Sequence, residues 1–130
     1  MRKETRSSSN PSLPDGLRAK ANSLCSGARS RSKKKGLDFD IDIDLIEDKL
    51  RYGLCEKTGI PFRFDVNENG ARSIYAATID RIVPSLGYVD DNIQVVIMGY
   101  NGLKGEGTDM EALQVARAVV ECSDSHRKAS

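Results

Sequence analysis

The chain has 130 residues, 38% of them hydrophobic with three Phe, four Tyr and no Trp, which suits one small domain with a modest core and an appended arm. No apolar run approaches the roughly 20 residues that cross a bilayer, and the basic start MRKETRSSSNPSLPDG has no apolar stretch behind it, so neither a membrane nor a secretory reading is expected. Charge is divided: residues 1–35 carry ten Lys/Arg against Glu4 and Asp15, a net +8, while residues 36–130 carry ten against seventeen acids, a net −7. A basic segment on an acidic body points to a polyanionic partner or to a solubilising tail, and charge alone leaves both open.

Residues 1–15 are rich in Ser, Pro and charge and read as disordered. From Leu17 to Lys35 the spacing of Leu17, Ala21, Leu24 and Ala28 predicts a helix, although Gly27 and several serines weaken it. Its cations Arg18, Lys20, Arg29, Arg31, Lys33, Lys34 and Lys35 could follow a phosphate backbone, so residues 1–35 are expected to form a basic, partly disordered or helical arm. Leu37, Phe39, Ile41 and Ile43 then alternate with aspartates, which predicts a short strand. Asp44, with Glu47 three residues on, predicts the cap of a helix through Leu45, Ile46 and Leu50 that ends at Gly53. The aspartates are not a calcium loop. Counting from Asp38, Ile43 stands where the sharp turn needs glycine and Lys49 where the last carboxylate belongs.

CEKTGIPF, residues 55–62, reads as a turn and the polar segment 65–73 as a loop. ATIDRIV and IQVVI predict two strands, joined by PSLGYVDDN, a connection longer than a tight hairpin needs. MGYNGLKG predicts the first turns of a helix. Thr108 and Glu111 form a capping box before a last helix with Met110, Leu113, Ala116 and Val120 on one core-facing side, and residues 123–130 read as a flexible tail. Cys25, Cys55 and Cys122 form no CxxC pair, so no disulfide framework is expected and a reducing cytoplasm is the default.

In the strand–loop–strand–helix unit, Asp80 and Asn101 offer one carboxylate and one amide oxygen, a donor set that suits a hard divalent ion completed by water and phosphate. Asn92 can tie the loop to the backbone. Lys104 lies on the face of Asn101 and could meet a phosphate. Taken singly, Asp80 reads as a strand-end aspartate and Asn101-Gly102 as a plain turn. Only their joint order and spacing lifts them above that, and largely through the resemblance that this order carries.

The order IDRI, GYVDDN, MGYNGLKG, preceded by CEKTG, resembles the HNH endonucleases, and among them phage-encoded proteins of the recombination endonuclease VII-like kind. The resemblance spans about Gly36 to Glu121. It implies an α+β protein with a small ββα-metal (His-Me finger-like) core over residues 36–122, flanked by helices. It also implies Asp80 and Asn101 as ligands of Mg²⁺ or Mn²⁺, Asn92 as the structural middle residue, and hydrolysis of duplex or branched DNA, in a bacterial cytoplasm if the protein is phage-encoded. Two departures stand out. Thr58 replaces the second cysteine of the usual zinc clamp, so a structural zinc is not expected. Arg81 stands where the family keeps its general-base histidine, and the lone His126 is far off in the tail. Arginine stays protonated and cannot accept a proton, but it can hold the scissile phosphate. Asp90 and Asp91 are the candidate acceptors. The expected activity is metal-dependent DNA cleavage with Asp80, Arg81 and Asn101 as catalytic residues; the alternative is a nucleic-acid-binding protein of this fold that does not cut.

Overall fold

The computed structural model describes residues 16–64 and 73–129, with side chains as far as His126. The expected disorder of residues 1–15 and most of the 65–73 loop lie outside the described residues. In chain order the elements are α1 (Leu17–Lys35), β1 (Phe39–Asp40), α2 (Ile43–Tyr52), β2 (Ala77–Arg81), β3 (Tyr88–Val89), β4 (Ile93–Ile97), α3 (Met98–Lys104) and α4 (Asp109–Ala129).

The helix predicted from Leu17 forms, and its apolar spacing explains how it sits. Leu17, Ala21, Leu24, Cys25 and Ala28 are all buried in the core with Ile46 and Leu50 of α2. α1 packs along α2 and also touches β1, β2 and β3. Its cations are therefore displayed by a helix seated on the body. Arg18 is drawn to Asp44 and Glu47 of α2, at 2.6 and 3.0 Å, and Arg29 lies over the Phe39 ring at 4.5 Å.

α2 begins two residues earlier than its acidic pattern implies. Asp42 is the N-cap, and its carboxylate accepts from the Asp44 amide at 2.9 Å. Asp44 instead sits in the first turn, where its charge faces the positive helix end. Gly53 closes the helix at φ 89°, its N–H reaching the Lys49 carbonyl. Asp42→Ala should cost about 1 kcal/mol of stability, read as a lower urea midpoint at unchanged slope, whereas Asp44→Ala should cost less.

β2 and β4 pair antiparallel over five residues each, with Asp80 opposite Gln94. α3 starts directly after β4, so the two strands and the helix form one continuous unit. The predicted alternating strand survives only as β1, two residues pairing parallel with β3. Gly87 permits that pairing, because a Cβ there would fall 2.6 Å from the Asp38 carbonyl oxygen. The CEKTGIPF turn docks on β4: the Glu56 amide donates to the Val95 carbonyl, the Val95 amide donates back to the Glu56 carboxylate, and Cys55 Sγ accepts from the Ile97 amide. Cys55 thus seats the turn against the strand.

α4 departs from expectation. The capping box forms, with Thr108 Oγ1 accepting from the Glu111 amide and Glu111 accepting from the Thr108 amide. Beyond it, among the described side chains of the helix only Ala112 is buried; Met110, Leu113, Val119 and Val120 are exposed. α4 rests on α3 at its start and then runs past the body, so its apolar face has no core to enter. It also continues to Ala129, through residues that composition assigns to a tail, since neither Gly nor Pro interrupts 109–129. Among the described residues no helix is long and apolar enough to cross a membrane.

Candidate active site

One face of the β2–β4–α3 unit opens into a cleft of about 250 Å³. β2 brings Asp80 and Arg81 to it and α3 brings Asn101. α1, laid across the strands by its buried alanines and leucines, adds Arg31 and Lys35. The short link between α3 and α4 adds Glu106, and β3 adds the Tyr88 ring. Four of the residues singled out in the sequence for DNA contact or catalysis thus meet Asp80 at one opening: Arg31, Lys35, Arg81 and Asn101. Arg18, Lys20, Arg29, Lys33 and Lys34 do not line it.

Asp80 is 7% exposed and its Oδ2 is heavily engaged. Gln94, its cross-strand partner, donates to Oδ2 at 2.9 Å, and Lys104 Nζ donates to the same atom at 2.7 Å. Oδ1 takes part in neither bond. Lys104 is the main surprise. Its side chain is fully buried, and the ammonium also reaches the carbonyls of Arg81 (2.7 Å) and Ile82 (3.2 Å) and the Asp109 carboxylate (3.4 Å). It faces inward onto Asp80 and not outward to a phosphate, because its place at the end of α3 carries it beneath the end of β2.

Asp109 closes this network from the start of α4, accepting from Gln94 and from the Tyr100 hydroxyl. Burial by itself would raise the Asp109 pKa, but the bonds from Tyr100 and Gln94 and the charge of Lys104 outweigh it and hold the carboxyl below its usual value. Burial, with the bond donated to Asp109, pushes the Tyr100 phenol far above the ordinary range. A carboxylate lowered in the folded state contributes stability above its unfolded pKa and loses it as pH falls through the folded one. Asp109→Asn should therefore flatten the loss of stability below about pH 4 while costing about 1–3 kcal/mol at neutral pH, measured by urea unfolding across that range.

Arg81 is only 10% exposed. Its guanidinium donates to the Pro84 carbonyl, lies 5.2 Å from the Tyr88 ring centre and stands 3.7 Å from Glu106. Arg31 takes the other approach to Tyr88, donating from Nε to the hydroxyl at 3.1 Å with its guanidinium 5.6 Å from the ring centre. Lys35 sits 3.8 Å from Glu106. Three cations around two carboxylates at the opening favour an anionic ligand.

Asn92, buried at the end of the 3₁₀ turn Asp90–Asn92, holds the loop before it. Its Oδ1 accepts from the Val83 amide at 2.9 Å, and its Nδ2 donates to the carbonyls of Val83 (3.1 Å) and Gly87 (2.9 Å). Asp90 caps the other side, accepting from the Asp42 amide. Neither Asp90 nor Asp91 lines the cleft. The acidic side chain that joins Asp80 there is Glu106, which sequence reasoning passed over; its lone charge between Gly105 and Gly107 was the available signal.

Among the described residues no group of three His, Cys, Asp or Glu side chains is gathered to hold an ion. The donors at the cleft, Asp80 and Asn101, are one carboxylate and one amide oxygen. They fit a hard divalent cation that takes most of its shell from water and phosphate, and they do not fit zinc.

The described elements and their order form an HNH-like fold. The structure of the rare-cutting HNH restriction endonuclease PacI, an enzyme associated with DNA perturbation, matches it with a TM-score of 0.55 over 82% of this chain and 81% of that one. The two sequences are 18% identical, a level at which the likeness establishes the fold alone. No protein-family model matches the chain, and no curated protein sequence matches it.

Proposed function

We propose that this protein is a DNA endonuclease of the HNH type, which binds a phosphodiester in the cleft and hydrolyses it with a divalent ion, Mg²⁺ or Mn²⁺, held by Asp80 and Asn101. The observation that carries this reading is the convergence of Asp80, Arg81 and Asn101 with two cations of α1 on one cleft of an HNH-like fold. That PacI acts on DNA supports DNA as the substrate, and the motif order supports a phage-type, endonuclease VII-like enzyme. When bound, the ion would supply Lewis-acid stabilisation of the charge developing on the phosphate and on the leaving 3′ oxygen.

The chain's own groups do the rest. Arg31 and Lys35 draw the phosphate backbone to the opening by charge. Arg81, permanently protonated, binds the scissile phosphate in place of the missing histidine and stabilises it as charge builds. Glu106 stands beside Arg81 and Lys35, where its carboxylate can take the proton that no histidine is present to accept. Lys104 and Gln94 hold Asp80 through Oδ2, so that the carboxylate keeps one orientation toward the cleft.

One observation favours a second reading. The ammonium of Lys104 already compensates the charge of Asp80, which weakens the carboxylate as a ligand. On that reading the protein binds nucleic acid without cutting it. Supercoiled plasmid with Mg²⁺ or Mn²⁺ separates the two: wild type should nick, and Asp80→Asn and Asn101→Ala should not. Binding without nicking in either metal would leave the second reading, and nicking that persists in both variants would remove Asp80 and Asn101 from the site.

A further inference from the structure

Away from the cleft, the far half of α4 carries a second set of metal-ligating groups. Cys122 and His126 stand one helical turn apart, both exposed, with Cys122 Sγ 4.0 Å from His126 Nε2. They lie about 20–25 Å along the helix axis from Asp109 and the buried network it closes. A zinc ion bound by a thiolate at about 2.3 Å and an imidazole at about 2.0 Å, at a tetrahedral angle, sets the sulfur and the nitrogen about 3.6 Å apart. The observed pair is within about 0.4 Å of that separation, a gap that small side-chain rotations close. Thiolate with imidazole is also a softer donor set than the oxygens of the cleft, and it favours zinc over magnesium or calcium.

Two ligands are half of what a structural zinc takes, and among the described residues no third Cys, His, Asp or Glu stands with them. The same helix face shows what brings the other half. Val115, Val119, Cys122 and His126 follow one another at spacings of four, three and four, the seam of a paired helix, and the two valines are 48% and 58% exposed. Beside the seam stand Ala116, Ala118, Ser123 and Ser125, none of them charged, while Arg117, Glu121 and Asp124 fall on the opposite side. A second α4 laid alongside in parallel therefore meets no like charge. We propose that Cys122 and His126 are half of a zinc site that a second copy of this chain completes, a two-fold axis turning each pair into one Cys₂His₂ tetrahedron. Each thiol proton passes to solvent as its sulfur binds the ion, and the valines pack across the axis. Two valines per helix are too short a seam to hold the pair alone, since coiled coils need about three to four heptads, so association depends on the ion.

The test is sedimentation of the full chain with a non-thiol reductant present, first in EDTA and then with one zinc ion per two chains. The mass should be that of a monomer in EDTA, should double with zinc, and should return to monomer with excess EDTA. Cobalt(II) in place of zinc should give the visible absorption of a tetrahedral thiolate–imidazole centre. C122S and H126Q, each changed at an exposed position, should keep the thermal midpoint and lose both the doubling and the absorption. A chain that stays monomeric with zinc, whether or not it binds the ion, would overturn the shared site. A dimer that EDTA does not dissociate would assign the valine seam to pairing without metal, and would overturn it as well. Doubling or cobalt absorption that persists in C122S or H126Q would place the ion elsewhere. A dimer that forms only when reductant is omitted would be a Cys122 disulfide, and the zinc assignment would fall with it.

Discussion

Replacement of Lys104 by methionine should lower the unfolding free energy by about 3–5 kcal/mol, the range found when one partner of a buried ion pair is removed. The side chain is fully buried, and its ammonium serves two carboxylates and two main-chain carbonyls. Methionine fills a similar volume but leaves Asp80 without its cation and the carbonyls of Arg81 and Ile82 without that donor. With domain stabilities of about 5–15 kcal/mol, the variant should remain measurable by urea unfolding at low temperature. A double variant, K104M with D80N, should recover part of the loss, because the uncompensated charge is gone. A loss below about 1 kcal/mol would mean that water, and not Lys104, balances Asp80. The same comparison bears on function. If Lys104 orients Asp80, K104M should raise the metal concentration that nicking needs as well as weaken the fold.

Asp80→Asn should reduce plasmid nicking by about 10²–10³-fold, the scale on which loss of a single charge-stabilising group acts in a pre-arranged site. The substitution keeps the shape of the side chain and its pairing opposite Gln94, so the fold is conserved far better than by alanine. Lys104 retains the Asp109 carboxylate and two carbonyls as partners. What is lost is the negative charge of Asp80 at the cleft. On the proposed reading, which gives DNA affinity and its salt dependence to Arg31, Lys35 and Arg81, both should change little. More metal should be needed for whatever cutting persists. Equal nicking by wild type and variant would show that Asp80 is a structural partner of Lys104 and nothing more.

These two expectations depend on contacts of different legibility. The order Asp80, Asn92, Asn101 could be read along the chain, because strand, turn and helix signals place the three residues on successive local elements. The apolar spacing of α1, the glycine that stops α2 and the Thr108–Glu111 box were equally local, and each formed. Pattern reading erred where a local signal had two local answers. Asp42 and Asp44 are both acceptable caps, and the chain uses Asp42 because its side chain meets the Asp44 amide. It erred again on α4, where an apolar stripe was taken for a core face although nothing in the described body covers it.

What the sequence by itself determined is therefore α1 to α3, the β2 and β4 strands, the start of α4 and the order of the candidate ligands, since these follow from hydrogen bonding and side-chain spacing within a few residues. The tertiary structure alone decided which charges meet. α1 carries Arg31 and Lys35 to a cleft built some fifty residues later in the chain, Glu106 arrives there while Asp90 and Asp91 do not, and Lys104 is turned under β2 onto Asp80. A charge's partner depends on how whole elements pack, and that packing is governed by the buried faces of α1, α2 and the strands. The charged residues are carried to their places by apolar neighbours whose spacing says nothing about them.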